Sequence, residues 1–327
     1  MKHAPSYRKL NYTIRLGKTI ERKYFLEVFK KLNFFQSLRD YRYIGFGSTY
    51  FADFILYHKV LGFKEMISIE REQLDQTRFN FNKPYSCIDM CYGDANEVLP
   101  GLDWNKKTIA WLDYDKQLDS SKLDDISTLV ANMQSGSFFL ISVAINSIEL
   151  PKEGDINEYR IEKLKQMVGY ERVPIDITGS DLNKKNLPST YGKIILNEIV
   201  SALTSRNGPL EEAKKIQYEQ VVNILYNDGT QMLTIGGVFY SGDDQDKFEK
   251  ANFKELNFYS NNYECFEIIA PNLTIKEIKY LDALLPDKID KDGNVSEEYK
   301  KVELPNDDIM NYAKIYRYYP TFAEAIV

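Results

Sequence analysis

Two stretches decide how this chain is read: Tyr41-Arg42-Tyr43-Ile44-Gly45-Phe46-Gly47-Ser48-Thr49 and, one helical stretch later, Glu65-Met66-Ile67-Ser68-Ile69-Glu70. Tyr41 to Ile44 is a short strand, followed by a small-residue turn and a helix running to about Leu61. Glu65 to Glu70 is a second strand, followed by a helix to about Phe81. The rhythm continues outward, with strands at Ser86 to Tyr92, Thr108 to Leu112 and Ser137 to Ala144, and a helix near 121–134. Strands that alternate with helices at this spacing imply right-handed crossovers and a parallel sheet covered on both faces.

Beyond the fifth strand the rhythm breaks. Helices are expected at about 155–168 and 190–204, the second capped by Ser189 after Pro188. The apolar runs Gln217 to Leu225 and Gln231 to Tyr240 flank Asn227-Asp228-Gly229, a hairpin signal, because Asp and Gly tolerate the positive φ of a tight turn. The start of the first run also reads as helical, which would delay its strand to about Val221. In the tail, Thr274-Ile275-Lys276-Glu277 opens a helix through Leu285 with a capping box. Asp290 to Asn294 is rejected as a calcium loop, because Val295 stands where the loop needs glycine. The domain reading is a basic helical segment 1–40, an α/β domain 41–242 with a helical insertion 151–210, and a small α-rich subdomain 243–327.

Composition bounds the function. The 327 residues carry 42 basic and 48 acidic side chains, a net charge of −6, with 43% hydrophobic and 13% aromatic content. That is ample for a core and excludes global disorder. No apolar run reaches the roughly 18 residues of a membrane span, the N-terminus lacks a signal-peptide core, and three cysteines form no disulfide framework. A cytoplasmic location is therefore expected. Histidines are limited to His3 and His58, which removes most imidazole-based metal sites and the serine or cysteine triads that need a well-placed base. Residues 1–35 hold nine basic residues against Glu21 and Glu27. An amphipathic helix near 18–33 is expected there, its apolar stripe docked and its basic face solvated. A nucleic-acid partner is the alternative for that face.

Ligands of open α/β sheets sit at the carboxyl ends of the strands. Gly45-x-Gly47-Ser48 ends the first strand and lets a ligand approach the backbone. Glu70 ends the second, 23 residues after Gly47, where nucleotide-binding sheets accept hydrogen bonds from ribose hydroxyls. Gly93-Asp94 ends the third strand and Asp113-Tyr114-Asp115 the fourth. Four successive strand ends each present a polar, ligand-type residue.

On these residues the chain resembles the class I S-adenosylmethionine-dependent methyltransferase superfamily from about Tyr41 to Tyr240, and Arg42 to Glu70 looks like bacterial proteins described as O-methyltransferases. The resemblance implies a doubly wound, Rossmann-like, mostly parallel seven-stranded sheet ending in an antiparallel hairpin. It implies Gly45, Phe46, Gly47 and Ser48 at the methionine part of the cofactor. Glu70, with Arg71 beside it, would meet the ribose, and Gly93 and Asp94 the adenine. Asp113 would face both cofactor and methyl acceptor. Asp113 and Asp115 are the candidate catalytic acids, acting as general base on an oxygen or nitrogen nucleophile. The chain departs from the pattern at Tyr43, where the family usually has an acid, and it lacks the third glycine. Asp113-Tyr114-Asp115-Lys116 has no prolines, unlike nucleic-acid amino-methyltransferases. Mg²⁺ on Asp113, Asp115 and Asn146 is not favoured, because Ile145 replaces an expected ligand. No metal is assigned. The alternative function is a non-catalytic methyltransferase-like scaffold or nucleotide-ligand sensor acting through partner proteins.

Overall fold

The computed structural model describes residues 15–71, 75–148, 154–286 and 297–320. Eight strands form one sheet: β1 (Arg42–Gly45), β2 (Glu65–Glu70), β3 (Ile88–Tyr92), β4 (Thr108–Asp113), β5 (Phe138–Ala144), β6 (Ile216–Asn227), β7 (Gln231–Ser241) and β8 (Phe266–Ile268). Their order is β3-β2-β1-β4-β5-β7-β6-β8. β1 to β5 run parallel, β7 runs antiparallel to both β5 and β6, and β8 lies parallel to β6.

The doubly wound architecture agrees with the sequence reading, and the strand count corrects it. An eighth strand, drawn from the segment after residue 243, pairs Phe266 to Ile268 with Ile224 to Tyr226. The position expected to separate a C-terminal subdomain is thus followed by a strand of the main sheet. β6 is a strand from Ile216 onward and not a helix at its start, because its whole length pairs with β7 across a bulge between Gln220 and Val222.

β4 and β5 are buried almost throughout, as expected for strands covered on both faces. Alternate residues feed opposite cores. Trp111, Phe138 and Leu140 join the layer of α1 (Leu16–Lys31) and α2 (Ala52–Leu61). Ala110, Leu112, Phe139 and Ile141 join the layer of α3 (Ser120–Asn132), α4 (Ile156–Val168) and α5 (Leu187–Asn207). α5 begins at Leu187, with Asn186 in the cap position and Pro188 in its first turn. Ser189 is therefore inside the helix and does not cap it; proline in the first turn loses no intrahelical hydrogen bond. The capping box at Thr274 is present and opens α6 (Ile275–Asp282). α6 and α7 (Asn306–Ile315) share a small core of Leu281, Tyr299, Ile309 and Tyr312. The rejected calcium loop lies outside the described residues. No helix among the described residues is long and apolar enough to cross a membrane.

α1 departs most from expectation. Lys18, Glu21 and Arg22 are buried along with Ile20, Phe25 and Val28, so the helix has no solvated basic face at those positions. Its first turn is clamped by the β6–β7 hairpin. The backbone N–H groups of Gly17 and Lys18 both donate to the Asp228 carboxylate at 2.9 Å, and Arg15 lies 3.6 Å from it. The approach is close at Gly17, where a Cβ would crowd the Tyr226 ring at 3.0 Å and Asp228 Oδ1 at 3.1 Å. The Asn-Asp-Gly turn thus supplies a carboxylate to a helix start that has no side-chain cap of its own. Lys2, Arg8 and Lys9 lie outside the described residues.

Candidate cofactor and acceptor site

In the order β3-β2-β1-β4-β5 the direction of winding reverses between β1 and β4. At such a reversal the loops leave to opposite sides and open a crevice at the carboxyl ends of the strands. Gly45 is level with Trp111 across that crevice, so the Phe46–Ser48 loop and Asp113 form its two lips.

The loop after β1 is tightly packed and conformationally unusual. Ser48 and Phe51 have φ of +50° and +47°, left-handed values that non-glycine residues adopt rarely and that concentrate at functional sites. A Cβ on Gly47 would lie 2.6 Å from the Phe51 ring and 2.8 Å from Ser68 Oγ. The Gly47 N–H donates to Ser68 Oγ at 3.1 Å, and the Ser48 N–H donates to Glu70 Oε1 at 2.6 Å. Gly47, Ser48 and Glu70 are therefore joined directly. Burial raises the Glu70 carboxyl to about 8, against the opposing bond from Ser48. The Gly93 N–H donates to the Glu70 carbonyl at 3.1 Å, bringing the β3 end alongside. Arg71 Nε lies 3.7 Å from Asp94 Oδ1, and both side chains are exposed.

Tyr43 occupies the place where an acid was expected. Its hydroxyl donates to Asp53 Oδ2 at 2.5 Å, so a buried carboxylate reaches the floor of the loop from α2 instead of from β1. Burial raises the Asp53 carboxyl above its ordinary range, and the nearby Arg22 guanidinium opposes the shift.

On the other lip, Asp113 Oδ1 accepts from Lys18 Nζ at 2.6 Å, and Lys18 also lies 2.9 Å from Glu21 Oε2. The ammonium sits 4.0 Å from the centroid of the Trp111 ring. Glu21 accepts from Thr234, whose hydroxyl lies 2.7 Å from Ser142 Oγ; Ser142 accepts from Trp111 Nε1 at 2.9 Å. Tyr114 donates to Asp125 at 2.5 Å, and its ring meets the Phe46 ring edge-on. Asp115 is exposed.

Gly45, Phe46, Gly47, Ser48, Glu70 and Asp113 thus gather at one crevice, with Gly93, Asp94 and Arg71 along the rim beside Glu70. The sequence reading missed Lys18, Glu21 and Asp53. A signal for the first two exists: Lys18 and Glu21 extend the Phe25, Phe29, Leu32 stripe by helical spacing, so they fall on the docked face. Among the described residues, no group of three or more His, Cys, Asp or Glu is placed to hold a metal ion.

The sequence matches the family described as "Putative O-methyltransferase" over residues 10–327, nearly the whole chain. The chain belongs to this family. Solved structures similar to this chain include the O-methyltransferase TomG from Streptomyces achromogenes in complex with SAM. That pair has 12% identity, coverage of 67% of this chain and 79% of that one, and a TM-score of 0.37. Human N-acetylserotonin methyltransferase in complex with SAM gives 12% identity, 68% and 56% coverage and a TM-score of 0.32. A LepI complex with SAM gives 10% identity, 61% and 43% coverage and a TM-score of 0.33. The chain thus spans about half the length of the latter two. No curated protein matches the sequence.

Proposed function

We propose that this family member transfers the methyl group of S-adenosylmethionine to an oxygen or nitrogen nucleophile in the crevice between β1 and β4. The observation that carries the reading is the Ser48 N–H to Glu70 bond of 2.6 Å. It fixes the buried Glu70 carboxyl against a glycine loop at the winding reversal, and no hydrogen bond among the described residues reaches its second oxygen. A ribose hydroxyl pair suits that oxygen, and the Gly45–Ser48 backbone suits the methionine end. Asp94 and Gly93 lie where the adenine edge would be met, with Arg71 at the rim.

When bound, the cofactor supplies a methyl group already activated by its sulfonium. The protein's part is positioning and exclusion of water. Asp113, one-quarter exposed and held by Lys18, is the group at the β4 lip best placed to take the proton of an acceptor hydroxyl or amine. Asp115, exposed beyond it, is the second candidate base. A cytoplasmic location accords with three free cysteines.

Calorimetric titration with S-adenosylmethionine and S-adenosylhomocysteine tests the reading. Micromolar binding by the wild-type protein, weakened at least tenfold in folded Glu70→Ala and more weakly in Asp94→Ala, is expected. Binding unchanged in Glu70→Ala would remove that residue from the ribose role.

A further inference from the structure

The loop that joins β1 to α2 is anchored on two sides. On the β2 side, the N–H groups of Gly47 and Ser48 donate to Ser68 Oγ and Glu70 Oε1. On the α2 side the anchor is a side-chain pair. Tyr43 and Gly45 lie two residues apart on β1, so their side-chain positions share one face of the sheet. A Cβ on Gly45 would lie 2.8 Å from the Tyr43 hydroxyl oxygen. The absence of a side chain at 45 is therefore what makes room for that hydroxyl at the end of the strand. There it donates to Oδ2 of Asp53, in the first turn of α2, at 2.5 Å.

This bond ties the end of β1 to the start of α2 and closes the base of the loop 46–51. Both partners are fixed. Tyr43 is 0% exposed, with its ring edge-on to Phe54 and Tyr57 at centroid distances of 5.0 and 5.3 Å. Asp53 is 7% exposed. Above the bond, Ser48 and Phe51 keep left-handed backbone at φ +50° and +47°. Residues other than glycine hold that shape only where their surroundings over-determine it. The Phe51 N–H closes the turn by donating to the Gly47 carbonyl at 2.7 Å.

We propose that Tyr43 and Asp53 are positioning residues that preorganise the Gly45–Phe51 loop for the amino-acid end of the cofactor. Their hydrogen bond holds the start of α2 against the end of β1, and with it the strained shape of the loop between. The inference rests on the cofactor reading above. Both side chains are buried, so they act through the backbone they support and not by contact with the ligand. A loop released from this tie populates other shapes when free, and the protein then binds in proportion to the fraction that remains ligand-ready. Preorganisation of this kind is read as affinity without a new contact.

The test titrates wild-type and Tyr43→Phe protein by calorimetry, well below the melting temperature of each. The ligands are S-adenosylhomocysteine and methylthioadenosine, which carries the same nucleoside and sulfur but no amino-acid end. Tyr43→Phe removes one oxygen and keeps the buried ring. Affinity for S-adenosylhomocysteine should fall about tenfold, as when the ligand-ready loop drops to about a tenth of the population, while affinity for methylthioadenosine changes less than about twofold. A purely structural role would lower the melting temperature and leave both affinities of the folded protein unchanged. If Tyr43→Phe does not fold, the double variant Tyr43→Phe/Asp53→Asn decides, because it also neutralises the carboxyl left without its donor. S-adenosylhomocysteine affinity retained in the folded variant, or an equal loss for both compounds, overturns the positioning role and leaves the cofactor reading standing. Absence of binding by the wild-type protein to either compound at millimolar concentration overturns both.

Discussion

At the β1–β3 end of the carboxyl edge, polar side chains are held by few contacts: Glu70 by one backbone N–H, and Arg71 and Asp94 by each other in solvent. At the β4–β7 end, Lys18, Glu21, Asp113, Thr234, Ser142 and Trp111 form a continuous network, mostly buried. The first arrangement leaves acceptor capacity open, which suits a site that takes up hydroxyls from a ligand. The second is joined internally by ion pairs and hydrogen bonds, which suits a lip that must keep its shape. The network also ties α1 to the sheet, so the N-terminal helix is part of the site's architecture and not an accessory to it.

The contrast implies that equivalent charge removals have unequal costs. Lys18→Met should have the largest effect, because it strands Glu21 and Asp113 without their shared cation. We expect a loss of about 3–5 kcal/mol of stability, read from chemical denaturation. Asp228→Ala comes next. It frees two N–H groups at the start of α1 and should cost about 1–2 kcal/mol, with earlier hydrogen exchange in α1 than in β4. Glu70→Gln should leave the protein folded and change its pH response. The folded-state carboxyl lies near 8, above its ordinary value of 4.5, so it binds a proton that the unfolded chain releases. Its contribution to stability is present at low pH and is lost as pH rises from about 4.5 through about 8. The variant should lack that part of the decline, which thermal melts across the range would reveal. Arg71→Ala is the smallest, within about 0.5 kcal/mol, because its pair with Asp94 is solvent-exposed. A Lys18→Met protein as stable as Arg71→Ala would erase the distinction between the two ends.

Much of this was legible in the sequence where local rules act. The first five strands, the hairpin at Asn227-Asp228-Gly229 and the capping box at Thr274 follow from periodicity and turn chemistry, and they appear near their expected places. Glu70 and Gly47 were readable because strand-end spacing fixes which residues reach the crevice. What was hidden depended on distant pairing. Phe266 to Ile268 is too short to declare itself and becomes a strand only because β6 offers it an edge. Lys18 counts toward a solvated basic face on its charge, since charge normally marks the outside of a helix, although its spacing from Phe25 puts it on the docked side. The partners that accompany the burial of Lys18 and Glu21 are distant in sequence: Asp113, 95 residues from Lys18, and Thr234 beside Glu21. Asp53 was overlooked for the same reason: its partner Tyr43 stood in the position assigned to an acid.

The central claim is that the ligand occupies the crevice between β1 and β4. Hydrogen–deuterium exchange of the wild-type protein with and without saturating S-adenosylmethionine addresses it directly. The account predicts new protection concentrated in Gly45–Phe51, around Glu70 and Gly93, and in Asp113–Lys116. Protection confined to other surfaces, with the Gly45–Phe51 loop unchanged, would contradict it.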